Sequence, residues 1–161
     1  MINENLKEQA RELFHQAYER QRQGELEDAI TLYQKSIALF PTAEAHTFLG
    51  WTYSFQGRYD DAIEECQRAI AVDPDFGNPY NDIGAYLIEE GHVEEAIPWL
   101  EKATHAPRYE SRCFPYFNLG RVHEARRHYA KALDCYKHAL GEQPAYPAAR
   151  CALRRLQAMM N

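Results

Sequence analysis

The chain has 161 residues, 45% of them hydrophobic and 26% charged, and a formal net charge of −6. This balance is ordinary for a folded protein and excludes a disordered chain, and the length fits a single domain spanning residues 1–161. The negative charge argues against a nucleic-acid partner, since phosphate binding needs a positive face, and no apolar run approaches the roughly 18 residues needed to span a bilayer.

The opening stretch from Met1 to Glu8 has no apolar signal core and no lipobox cysteine, so a cytoplasmic location is expected. A first helix is expected to begin near Asn3 or Asn5, either able to cap, and to end at Gly24. From there a pattern of small residues recurs every 33 to 36 residues: Gly50, Gly84 and Gly120; Ala29, Ala62, Ala96 and Ala132; Ser36, Ala69, Ala103 and Ala139. Pro41, Pro74, Pro107 and Pro144 punctuate each copy. Each copy divides into two helical segments, as in Ala43–Gln56 and Tyr59–Val72, separated by Gly57-Arg58. Gly24 and Gly91 hold the same break in the first and third copies, where a helix C-terminus asks for positive φ. Apolar residues follow helical spacing: Leu49, Tyr53, Ile83, Leu87 and Leu119 in first helices, and Ile30, Tyr33, Ile63, Ile97, Leu100, Leu133 and Tyr136 in second helices. The junction Thr104–Arg112 holds two extra residues, and Pro147–Met160 reads as a last helix covering the open end. The expected architecture is an all-α solenoid with repeats near 10–42, 43–76, 77–112 and 113–146 and a capping helix over 147–160.

The residues in register resemble the tetratricopeptide repeat: Leu49-Gly50, Tyr53, Ala62, Ala69 and Pro74; Ile83-Gly84, Leu87, Ala96, Leu100 and Ala103; Leu119-Gly120, Ala132, Tyr136, Ala139 and Pro144. The resemblance implies a right-handed superhelix of helix pairs whose first helices line a concave groove that holds peptides of partner proteins. The groove positions, taken as the side of each first helix away from its Leu-Gly face, include Phe14, Tyr18 and Arg22; Trp51 and Phe55; Asn78, Asn81 and Ile88; Phe114, Phe117 and Arg121. The aromatics would supply buried area, with Asn and Arg fixing register. The alternative is that this stripe is packing between repeats. The carboxylate clamp of chaperone-tail binders is not matched: one register of the groove reads Phe14, Tyr18, Phe48, Asn78 and Asp82, the next Thr47, Trp51, Asp82, Phe114 and Asn118, neither supplies the cations, and Asp82 would repel a carboxylate. A weaker resemblance, over Tyr109–Arg112 and Asn118-Leu119-Gly120, is to bacterial pilotin-class type IV pilus assembly proteins, which are lipoproteins; their lipid-attachment cysteine has no counterpart here.

Chemistry finds little support in the sequence. His123 and His128 superficially suggest a zinc-protease helix, but their spacing of five would not put them on one face. Cys66, Cys113, Cys135 and Cys151 form no C-x-x-C pair and read as reduced thiols. The acidic pairs Asp60-Asp61, Glu64-Glu65, Glu89-Glu90 and Glu94-Glu95 suit first turns of second helices and solvated faces. There is no Gly-rich phosphate loop. The expectation is a non-catalytic scaffold with no cofactor or metal that binds a protein or peptide in its groove. The rivals are a self-association module and a bacterial assembly or secretion adaptor.

Overall fold

The computed structural model describes residues 1–161. They form nine α-helices: α1 Ile2–Arg22, α2 Leu26–Leu39, α3 Ala43–Phe55, α4 Tyr59–Val72, α5 Asn78–Glu89, α6 Val93–His105, α7 Cys113–Ala125, α8 Tyr129–Glu142 and α9 Pro147–Met160. Each helix packs on its neighbours in sequence, most extensively within the pairs α1/α2, α3/α4, α5/α6 and α7/α8. The odd-numbered helices α1, α3, α5 and α7 also touch one another in turn, so they line one side of the solenoid.

The small-residue rows mark where helices cross. A Cβ at Gly84 would lie 2.4 Å from a Leu100 methyl, and one at Gly120 would lie 2.4 Å from the Tyr136 ring. At Gly50 it would meet the Ala62 carbonyl oxygen at 2.9 Å. Only glycine allows these approaches, and Ala29, Ala62, Ala96 and Ala132 are fully buried on the partner helices. The main core runs through these crossings, from Ala17 and Tyr33 through Leu49, Cys66, Ile83 and Leu100 to Leu119 and Val122. A smaller core of Ala132, Tyr136, Ala152 and Leu156 seats α9 on the last pair.

Three details depart from the sequence reading. Helix α1 starts at Ile2 with Met1 at its N-cap and no side-chain cap, so Asn3 and Asn5 lie inside it. Its added turns still pack: the Ser36 hydroxyl donates to the Ala10 carbonyl at 2.6 Å. The break between helices has positive φ at Gly24, Gly57 and Gly91, and the fourth copy makes the same turn with Arg127 at φ 61°. That turn folds His128 back, its N–H donating to the His123 carbonyl at 2.8 Å, so the two imidazoles stack 6.3 Å apart rather than diverging.

The stretched junction is also ordered. Residues 106–112 run back against the α4–α5 connection in a single parallel β-bridge between Phe76 and Arg108. The Gly77 N–H donates to the Arg108 carbonyl and the Arg108 N–H to the Asp75 carbonyl, both at 3.0 Å. The Arg108 guanidinium reaches the Asp73 carboxylate through Nε at 3.0 Å and Glu44 at 2.9 Å, and covers the Phe76 ring. Tyr109 is thereby buried over Gly77, where a Cβ would lie 2.5 Å from its own Cβ.

Candidate functional site

The odd-numbered helices carry a chain of aromatic contacts along their shared side. Phe14 and Tyr18 of α1 meet Phe48 of α3 edge-on, at ring-centre distances of 5.2 and 5.6 Å. Phe48 meets Trp51 at 5.7 Å, and Trp51 meets Phe55 at 5.1 Å. At the other end, Phe114 and Phe117 of α7 both pack on Tyr146, at 5.5 and 5.3 Å.

Exposure separates these rings into two kinds. Tyr18, Trp51, Phe55 and Phe114 are 37%, 41%, 55% and 42% exposed. Phe14 and Phe117 are half-buried, because each also packs on the tyrosine of the following second helix, Phe14 on Tyr33 and Phe117 on Tyr136. Six aromatics share a face by helical spacing; packing against α2 and α8 draws two of them into the wall.

Between the two aromatic groups lies a cavity of about 340 Å³. Helix α3 lines it with Thr47, Phe48 and Trp51, α5 with Asn78, Asn81 and Asp82, the junction with Tyr109 and α7 with Phe114. Its polar wall is internally bonded. The Asn118 amide donates to the Asn81 side-chain carbonyl at 3.0 Å. The Thr47 hydroxyl donates to the Ala43 carbonyl at 2.7 Å. Asn81, which the sequence suggested as a free amide for a ligand, is instead buried and already bonded; its neighbour Asn78 is half-buried at the cavity wall.

Charge is distributed unevenly around this cavity. Glu44, Glu89 and Glu124 each take an arginine, respectively Arg108, Arg121 and Arg155. The fourth carboxylate on α3, α5 and α7 is Asp82, which has no cation within ion-pair distance. Burial pushes its carboxyl up to about 7, against the lowering effect of the neighbouring Asn81 side chain. Arg121 is held by Glu89 at 3.0 Å and Asn118 at 3.3 Å. Arg22 lies exposed at the C-terminus of α1, its guanidinium 6.0 Å from the Tyr18 ring centre, and Ile88 is half-buried against the main core.

Tyr109 and Tyr146 were not among the groove positions the sequence suggested, and Phe48 entered only one register of the carboxylate-clamp comparison. Phe48 lies one residue off the Thr47/Trp51 register and still joins both faces. Tyr146 follows a helix-ending proline, and nothing local marks it as a ring support. Tyr109 is carried by the stretched junction, whose two added residues were the available signal.

A glycine preceded by leucine or isoleucine closes the helix crossing in three of the four copies, at Gly50, Gly84 and Gly120. The tetratricopeptide repeat model matches residues 43–76 and 113–146, the second and fourth helix pairs. The chain carries tetratricopeptide repeats. Among curated relatives, the type IV pilus assembly protein PilF of Pseudomonas aeruginosa is 28% identical over 120 residues, covering 74% of this chain and 48% of PilF. The chain thus spans about half the length of that relative. The solved structure of Pseudomonas aeruginosa pilF superposes with a TM-score of 0.90 at 23% identity, covering 97% of this chain and 71% of that one. YrrB, described as a tetratricopeptide repeat protein with an unusual peptide-binding site, superposes with a TM-score of 0.68 at 20% identity, over 92% of this chain and 76% of that one. These likenesses show a helical-repeat solenoid. No helix is long and apolar enough to cross a membrane.

Proposed function

We propose that this tetratricopeptide repeat protein is a non-catalytic adaptor that holds a peptide segment of a partner protein along α1, α3, α5 and α7. The observation that carries the reading is the pair of exposed aromatics, Trp51 and Phe114, on opposite walls of one cavity. Burying such rings releases about 25 cal/mol per Å² of apolar surface, and aromatic anchors in pockets dominate peptide interfaces. Asn78 at the cavity wall and Arg121 on α7 are groups able to fix register, and Tyr18 and Phe55 extend the apolar strip. The peptide-binding description of YrrB supports the same use of the fold.

Peptides selected from a displayed random library on the wild-type chain test this. Trp51→Ala combined with Phe114→Ala should weaken the selected peptides by about 10-fold or more, equivalent to about 1.4 kcal/mol, with the helical melting curve little changed. Unchanged binding by the folded double variant would contradict the proposal.

The likeness to PilF over most of the chain favours an adaptor in pilus-type assembly within this class. Deleting the gene in its source organism and scoring surface pili tests that narrower reading; normal piliation would end it. We propose, separately, a cytoplasmic location, and fractionation of the source cells checks it.

A further inference from the structure

The cavity between α3, α5 and α7 contains a carboxylate and no cation. Every other carboxylate on these three helices is matched to an arginine, whereas Asp82 has no cation partner. An ionised carboxylate can accept about four hydrogen bonds. No cation lines the cavity beside it: the nearest arginine on α7, Arg121, is held by Glu89 and Asn118, and the Thr47 hydroxyl bonds the Ala43 carbonyl. Enclosing an unpaired charge is costly, and the cost disappears when a cation arrives.

The walls add a second, independent attraction. Phe48, Trp51, Tyr109 and Phe114 line the same space from three directions. Aromatic rings attract ammonium and guanidinium groups through their quadrupole, most strongly where water is thin. A carboxylate beside four rings combines Coulomb attraction, strengthened by low polarity, with cation–π attraction. An acidic side chain would meet Asp82 with no cation to offset the repulsion, and a purely apolar one would leave the carboxylate dehydrated.

We propose that this cavity is a specificity pocket for one basic side chain, lysine or arginine, of the peptide held in the groove, with Asp82 as its counter-ion. The proposal rests on the groove reading above and names the chemistry that the groove selects. Trp51 and Phe114 bury the apolar stem of the basic residue, and the Asp82 carboxylate accepts its N–H groups. The occupant is a side chain, so a peptide with a blocked N-terminus binds as well as a free one.

The test uses the full chain and a set of labelled peptides, Leu-Ala-Xaa-Ala-Leu, acetylated and amidated, in which Xaa is lysine, arginine, norleucine or glutamate. Fluorescence polarisation gives their affinities for wild type, Asp82→Asn and Trp51→Ala. The lysine and arginine peptides should bind wild type about 10-fold tighter than norleucine, and glutamate weakest. Asp82→Asn, nearly identical in shape, should bring lysine down to the norleucine level and leave norleucine as it was or tighter. Trp51→Ala should weaken lysine, arginine and norleucine together. If lysine and norleucine bind wild type equally while Trp51→Ala weakens both, the groove reading stands and the basic pocket falls. A lysine preference that survives Asp82→Asn overturns the assignment of Asp82. If no peptide shows binding that depends on Trp51, the groove reading and the pocket fall together.

Discussion

Asp82 has a consequence for stability as well as for ligand choice. Its carboxyl stands at about 7 in the folded chain, raised by burial, against about 3.9 in an unfolded one. Between those values the folded state holds a proton that the unfolded state has lost, so stability falls as pH rises through this window. The pKa values of Cys66 on α4, Tyr86 on α5 and Tyr109 on the junction are raised by burial first and by the Asp82 charge second, so all three groups stay neutral here. Asp82→Asn should therefore stabilise the chain at pH 8 by on the order of 1–3 kcal/mol, and the gain should vanish near pH 4. Thermal melts of the two proteins across this range check the prediction, and a variant less stable at pH 8 would contradict the burial of this charge. The sequence showed Asp82 as a residue that would repel a carboxylate. It did not show that the arginines facing these helices are taken, because their carboxylate partners lie 31 or more residues away, as with Arg155 and Glu124.

At the scale of the helix, glycine positions divide by what surrounds them. Gly84 faces the buried Leu100 side chain at a crossing, whereas Gly141 on α8 has nothing within 4 Å. A glycine-to-alanine change in a helix gains about 1 kcal/mol of helix propensity. Gly141→Ala should therefore stabilise by about 0.5–1 kcal/mol. Gly84→Ala should destabilise despite the same gain, because overpacking costs about 1–3 kcal/mol. Urea unfolding of both variants checks the pair, and similar shifts for the two would mean that the crossing is looser than described. The turn at Arg127 gives a third prediction. A non-glycine residue in the left-handed region costs about 1–2 kcal/mol. Arg127→Gly should raise the stability by about 0.5–1 kcal/mol, part of the relief being lost to the freer unfolded chain; a lower melting temperature would show that the arginine side chain earns its place there. The first three turns were legible because glycine marks positive φ. The fourth was legible only from the period, since Arg127 carries no local signal.

For the whole molecule, the repeat made the scaffold readable and left the groove half-read. Small residues at crossings report on the packed face, so the remaining face of each odd-numbered helix could be found by subtraction. That subtraction placed Trp51 and Phe114 where the structure has them, exposed on opposite cavity walls. It could not separate Phe14 and Phe117 from them, because their burial depends on tyrosines of the following helices. Nor could it show that the junction docks through Arg108 and delivers Tyr109 to the cavity, since that placement rests on contacts with Asp73 and Glu44 in an earlier repeat. Arg108→Ala should loosen the junction and weaken peptide binding more than it lowers the melting temperature, because half-exposed ion pairs contribute only about 0–1 kcal/mol each to stability. Calorimetric titration and melting of the same sample check this; equal binding by both proteins would separate the junction from the site.

The central claim is that a partner peptide lies along the odd-numbered helices. Backbone chemical-shift mapping of the labelled chain, titrated with a library-selected peptide, tests it most directly. The account predicts saturable shifts concentrated in α3, α5, α7 and residues 106–112, with the Trp51 indole N–H among the largest. Shifts concentrated instead on α2, α4, α6 and α8, or on the end helix α9, would contradict it.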